Sequence, residues 1–144
     1  MHIDPNGSAG YLTNLAGRLF VRAIDRRLQA VGLSAAHMPV FLALAGGQSL
    51  SQKELATAAA VEQPTMAATL ARMERDGLID RTPDPSDRRS SLVSLSAAAR
   101  GKTATLMAAA RATNGVALAG LDADERELFL DLLRRVIAAL ERDG

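Results

Sequence analysis

The residues best placed to do chemistry are six in a row, Asp84-Pro85-Ser86-Asp87-Arg88-Arg89. Two arginines beside a cluster of turn formers place guanidinium groups at the tip of a projecting hairpin, within reach of a polyanion. A guanidinium is always charged and weakly hydrated, which suits the narrow DNA minor groove where negative potential deepens. The same residues also fit a solvated turn with local Asp–Arg pairs, and the residues alone do not separate the two readings. Other chemistry is sparse. There is no cysteine, so disulfides, thiolate catalysis, thiol redox sensing and Cys-based zinc sites are excluded together. The imidazoles are His2 and His37, too few for a multi-histidine metal cluster within one chain. Asp122, Asp124 and Glu125 gather carboxylates at a helix start, where capping and the helix dipole explain them. No G-x-S-x-G, P-loop, G-x-G-x-x-G or H-E-x-x-H run occurs, so neither an enzyme nor a cofactor is expected.

The elements that must carry the arginines are mostly helical. The chain has 144 residues, about one domain. Alanine and leucine together supply about a third of it while aromatics are 3%, a bias that favours helix. Residues 1–8 carry turn formers without periodicity and read as a disordered start or a cloning remnant. Leu12, Leu15, Ala16, Leu19, Ala23 and Ile24 predict a helix from Ala9 to Val31, closed by Gly32. A second helix follows Ser34. Ser51 and Glu54 form a capping box, and Leu50 with Leu55 a hydrophobic staple, at the start of a third helix ending near Ala59. Pro64 opens a fourth with the stripe Met66, Leu70, Met73, and Gly77 closes it. Two short helices joined by a turn predict a helix-turn-helix. Residues 78–81 and 91–95 predict two strands around a long tip, 82–89. Two long helices follow, from Ser96 to about Gly120 and from Asp122 onward.

The expected fold is mainly α with a small β-hairpin wing. A winged helix-turn-helix over 34–95 would be flanked by helices of 9–33 and 96–144. The outer helices carry more apolar surface than so small a core can cover, which predicts a homodimer built from both chain ends. The net charge of +1 decides neither for nor against nucleic acid; basic surface must arise by local clustering.

The run Gly77-Leu78-Ile79-Asp80-Arg81, then Asp84 to Arg89, then Val93-Ser94-Leu95-Ser96, resembles the "GL[IV]-x-R … D-x-x-D-x-R … V-x-L-[ST]" hallmark of the multiple antibiotic resistance regulator (MarR) family. The helix order outside the motif agrees over nearly the whole chain. The resemblance implies a homodimeric winged-helix transcriptional regulator, commonly a repressor, acting on double-stranded DNA at a near-palindromic operator. Arg89 then matches the wing arginine, Asp87 the carboxylate that steadies the wing, and Pro64 to Asp76 the recognition helix. Ala67-Ala68 depart from the Ser/Thr-Arg common there. Base reading then leans on Gln63, Thr65, Thr69 and Arg72, with the two alanines able to meet thymine methyls. Arg88 joins the DNA set, as does Ser51, mainly a helix cap whose neighbouring amides can hold a phosphate.

The same resemblance implies a ligand cleft between the first two helices, which Tyr11, Arg18, His37 and Phe41 are expected to line for a small apolar, aromatic or anionic effector, although a surface or hydrogen-bonded histidine is the plainer reading of His37. No membrane span or secretory signal is visible, which predicts a cytoplasmic protein. The competing reading is a helical protein-interaction module, which would have no use for arginines on a projecting wing.

Overall fold

The computed structural model describes residues 1–2 and 4–144. The expected helices and hairpin are present in the expected order, with one short strand, β1, added: helices α1 (Ala9–Leu28) and α2 (Met38–Leu44), strand β1 (Leu50–Ser51), helices α3 (Gln52–Ala59) and α4 (Gln63–Arg75), strands β2 (Ile79–Asp84) and β3 (Asp87–Leu95), and helices α5 (Ala97–Ala117) and α6 (Ala123–Asp143). Short 3-10 turns at Gln29–Val31 and Ala35–His37 follow α1 and lead into α2. The residues form two compact units, Met1–Ala110 and Arg111–Gly144.

Pro5–Gly7 form a 3-10 turn on Asp4, and the Ser8 hydroxyl caps α1 by accepting the Tyr11 N–H. Ile3, within the stretch expected to be disordered, lies outside the described residues.

In the first unit the apolar stripes converge on one core. Leu28 of α1, Phe41 and Leu44 of α2, Leu55 of α3, Leu70 and Met73 of α4, Val93 and Leu95 of β3 and Leu106 of α5 are all buried there. The capping box is formed: the Ser51 Oγ accepts the Glu54 N–H at 3.2 Å, and Glu54 accepts the Ser51 N–H at 3.1 Å. The turn between α3 and α4 puts Ala60 in the left-handed region at φ 54°. At the end of α4, Gly77 has φ 73°. The Leu78 N–H there donates to the Met73 carbonyl and the Gly77 N–H to that of Glu74, the bond pair that closes a helix around a left-handed residue.

The sheet differs from expectation in two ways. It has three strands in the order β1-β3-β2, because Leu50 and Ser51 pair with Val93 and Leu92. The hairpin is also longer, and its tip is only Pro85-Ser86. Pairing runs from Ile79↔Leu95 to Asp84↔Asp87, with a bulge at Pro83/Asp84. Arg88 and Arg89 therefore stand on β3 rather than in a long tip.

In the second unit Asp122 caps α6. Its side chain accepts the Glu125 N–H, and Glu125 accepts the Asp122 N–H, both at 2.9 Å. No residue of α6 is buried within the chain. No helix among the described residues is long and apolar enough to cross a membrane.

Candidate nucleic-acid interface

The 3.6-residue period divides α4 cleanly. Met66, Thr69, Leu70 and Met73 turn into the core, so the opposite face must be the exposed one. That face carries Thr65, Ala68, Ala71, Arg72 and Arg75, with Gln63 exposed at its start and Ala67 half-buried at its edge. Thr69, expected on the DNA side, is a correction. It is buried, and its hydroxyl donates to the Thr65 carbonyl at 3.2 Å. A threonine hydroxyl can be satisfied by the carbonyl four residues back, so it tolerates an inward position that its polarity alone would argue against. Ala71 and Arg75 belong to the exposed face in its place. The period that identifies the buried stripe would have placed them there.

The wing is held by its carboxylates. The Asp84 Oδ1 accepts the Ser86 N–H at 2.9 Å and the Ser86 hydroxyl at 2.8 Å. These bonds hold its carboxyl below the usual value, the backbone bond contributing most. The Asp87 Oδ1 accepts the Arg89 N–H at 2.9 Å. Both aspartates thus engage the turn, and among the described residues neither forms an ion pair with Arg88 or Arg89. Both arginines are exposed. Strand alternation sends them to opposite faces of the hairpin.

Arg89 faces a polar groove of about 540 Å³ between the wing and the helix-turn-helix. Ser51, Gln52 and Lys53 at the start of α3, Gln63 at the start of α4, and Asp87 also line it. Four of the sequence-derived site residues, Ser51, Gln63, Asp87 and Arg89, therefore meet in one place, next to the exposed face that carries Thr65, Ala68 and Arg72. Arg88 does not line this groove.

The four residues expected to line an effector cleft stand in different surroundings. Phe41 is in the core, at 1% exposure, and Tyr11 is exposed on the first turn of α1. Arg18 lies on an open stretch of α1 beside Asn14 and Arg22. His37 is buried where the turn before α2 approaches α4, and its Nδ1 accepts the Ser34 N–H at 3.0 Å. An apolar cleft lies between α1, α2 and α3. It measures about 560 Å³ and is lined by Phe20, Val21, Ile24, Met38, Pro39 and Leu42 with small alanines, and no charged side chain lines it.

Burial, then the Arg72 guanidinium, lowers the His37 pKa below 6.5; Asp76 and Asp25 oppose this, and Lys102 adds to it. The folded chain therefore holds His37 neutral at a pH where the unfolded chain would take up a proton. The stability this contributes is complete above about pH 6.5 and is lost as pH falls from there through the folded value. A series of thermal melts is expected to show stability falling below about pH 6.5 in the wild type, and falling less in His37→Gln. Equal slopes in the two proteins would remove His37 from the titration.

A helix-turn-helix whose second helix offers a clean polar and small-residue face, flanked by a two-stranded wing with an exposed arginine, defines a winged helix-turn-helix protein. Comparison with known proteins agrees. The MarR family model matches residues 31–90. The chain is 32% identical to a MarR-family transcriptional regulator from Silicibacter pomeroyi, covering 95% of this chain and 92% of that one with a TM-score of 0.76. The chain belongs to the MarR family. It is also 34% identical to the HTH-type transcriptional repressor NicR of Pseudomonas putida over 94 residues, a match spanning 65% of this chain and 60% of NicR. The structure of the transcriptional repressor CouR bound to a 23-mer DNA duplex is similar at 25% identity, with a TM-score of 0.82 over 95% of this chain and 99% of that one. The family and these relatives are regulators, not enzymes.

Proposed function

We propose that this chain is a cytoplasmic, homodimeric repressor of transcription that binds a near-palindromic duplex operator. The observation that carries the reading is the convergence of Ser51, Gln63 and Arg89 on one groove beside the exposed face of α4. The α4 face fits the major groove. Arg89, on a wing beside it, is the cation available to the adjacent minor groove. The small side chains of Ala68 and Ala71 favour close approach to thymine methyls, and Arg72 is free for a guanine edge or a phosphate. Two copies related by a two-fold axis require half-sites about one helical turn apart. A dimerisation region made of 9–33 and 96–144 is supported by the apolar residues left exposed on α1 and α6. The place for a small effector is the apolar cleft between α1, α2 and α3, and its lining suits a neutral apolar or aromatic molecule better than an anion.

The test is equilibrium binding of full-length protein to duplexes that it enriches from randomised DNA, measured at two salt concentrations. The expected result is a symmetric site whose log affinity falls linearly with log salt, with a slope of about −0.9 per neutralised phosphate. Enrichment of no duplex, or affinity insensitive to salt, would replace this reading with that of a protein-interaction module.

A further inference from the structure

The wing springs from Gly77 and Leu78. At its root β3 lies between β1 and β2, and beyond the Ser51↔Leu92 pair it continues outward as a two-stranded ribbon, which by itself is a marginal support for Arg89. A polar tie joins it to α4. Arg81 on β2 sets its Nε 3.2 Å from the Glu74 Oε2 near the end of α4, and its Nη1 reaches the Ser91 Oγ on β3 at 3.5 Å. Arg81 is thus in contact with the recognition helix and with both wing strands. Its side chain is only 28% exposed, and it lines the same groove as Arg89. The other ion pairs among the described residues, Arg75–Asp76 and Arg135–Asp131, are each local to one helix.

We propose that Glu74 and Arg81 are a positioning pair that sets the angle of the wing against α4, so that Arg89 reaches the minor groove while α4 occupies the major groove. This rests on the DNA-binding reading above. A partly exposed ion pair adds little to folding stability, so its effect should appear in aim rather than in melting temperature. Electrostatics makes the role separable from direct contact. Glu74 is an anion on the element that faces DNA, and removing its charge should by Coulomb attraction alone tighten binding. If Arg81 itself gripped a phosphate, freeing it from Glu74 would tighten binding further. Positioning predicts the reverse.

The experiment is a double-mutant cycle on full-length protein, using a labelled duplex enriched by the wild type from randomised DNA, with a thermal melt of every variant. Glu74→Gln is expected to weaken binding about tenfold, and Arg89→Ala by a similar factor or more, while the double variant is no weaker than Arg89→Ala, because coupled residues do not add. Exchanging the partners, Glu74→Arg with Arg81→Glu, is expected to recover affinity lost by Glu74→Gln, and it keeps the test valid if that single variant melts early. Tighter or unchanged binding by Glu74→Gln at an unchanged melting temperature, additive losses in the cycle, or no recovery by the exchange would overturn the pair's role and leave the DNA-binding reading standing. Failure of the wild type to enrich any duplex would instead remove the reading on which the pair depends.

Discussion

Arg89→Ala is expected to weaken binding of the enriched duplex by about 1–3 kcal/mol per subunit, the range of a good arginine–DNA contact. With two symmetric copies the loss to the dimer should be larger still. The melting temperature should hardly move. The side chain is exposed, and the bond that ties this residue into the wing, from its backbone N–H to Asp87, does not involve the guanidinium. Surface substitutions of this kind usually stay within about 0.5 kcal/mol of neutral. Arg88→Ala should be milder, because Arg88 stands on the other face of the hairpin, away from the groove that Ser51 and Gln63 share with Arg89. Asp87→Ala should fall between them, since it removes the acceptor that holds Arg89's own N–H. The slope of log affinity against log salt should flatten by about one unit for each phosphate no longer neutralised. Unchanged affinity in Arg89→Ala would move the basic contact elsewhere. An equal loss of melting temperature would make the residue structural.

The site's residues were legible wherever the governing interaction is local. The capping box at Ser51, the glycine that ends α4 and the apolar stripe Met66-Leu70-Met73 follow from spacings of three and four, and each stands where those spacings put it. What was not legible depends on partners far along the chain. Strand β1 is two residues long, too short for any periodicity, and exists because Val93 and Leu92 lie beside it. The outer parts of β2 and β3 are turn-rich in sequence and extended in structure because each strand supplies the other's hydrogen bonds. The Glu74–Arg81 pair joins an α-helix to a strand and so obeys neither helical nor strand spacing. Phe41 shows how type and position can part: an aromatic ring suits a ligand by kind, but the helix period sets it on the buried face of α2. Thr69 shows the same conflict in one residue: chemical type argued outward, period argued inward, and period won.

Val136→Asp is expected to turn a dimer into a monomer. On α6, Phe129, Leu132, Val136 and Leu140 recur at helical spacing and are all exposed on the chain, Leu140 at 66%, with Leu128 and Ile137 beside them. So continuous an apolar stripe is rare on a protein that works alone. On the proposed reading, in which two wings meet one duplex, a second copy is its natural cover. Sedimentation of the wild type at micromolar concentration should give twice 15.2 kDa. An aspartate at position 136 leaves an unpaired carboxylate in that interface, at about 3–5 kcal/mol if desolvated, and symmetry places one on each subunit. The dimer dissociation constant should then rise by more than about a thousandfold, since each 1.4 kcal/mol is tenfold. Because Val136 is not buried within its own chain, and Val and Asp differ little in helix propensity, the helix itself should survive. Circular dichroism would show that directly. Affinity for the symmetric duplex should collapse with the dimer, while any residual binding should be to single half-sites. Val136→Leu should remain dimeric, which separates the need for an apolar side chain from the need for valine itself. A variant carrying Val136→Asp that still sediments as a dimer would place the interface elsewhere, and a well-folded wild-type monomer at micromolar concentration would remove it altogether.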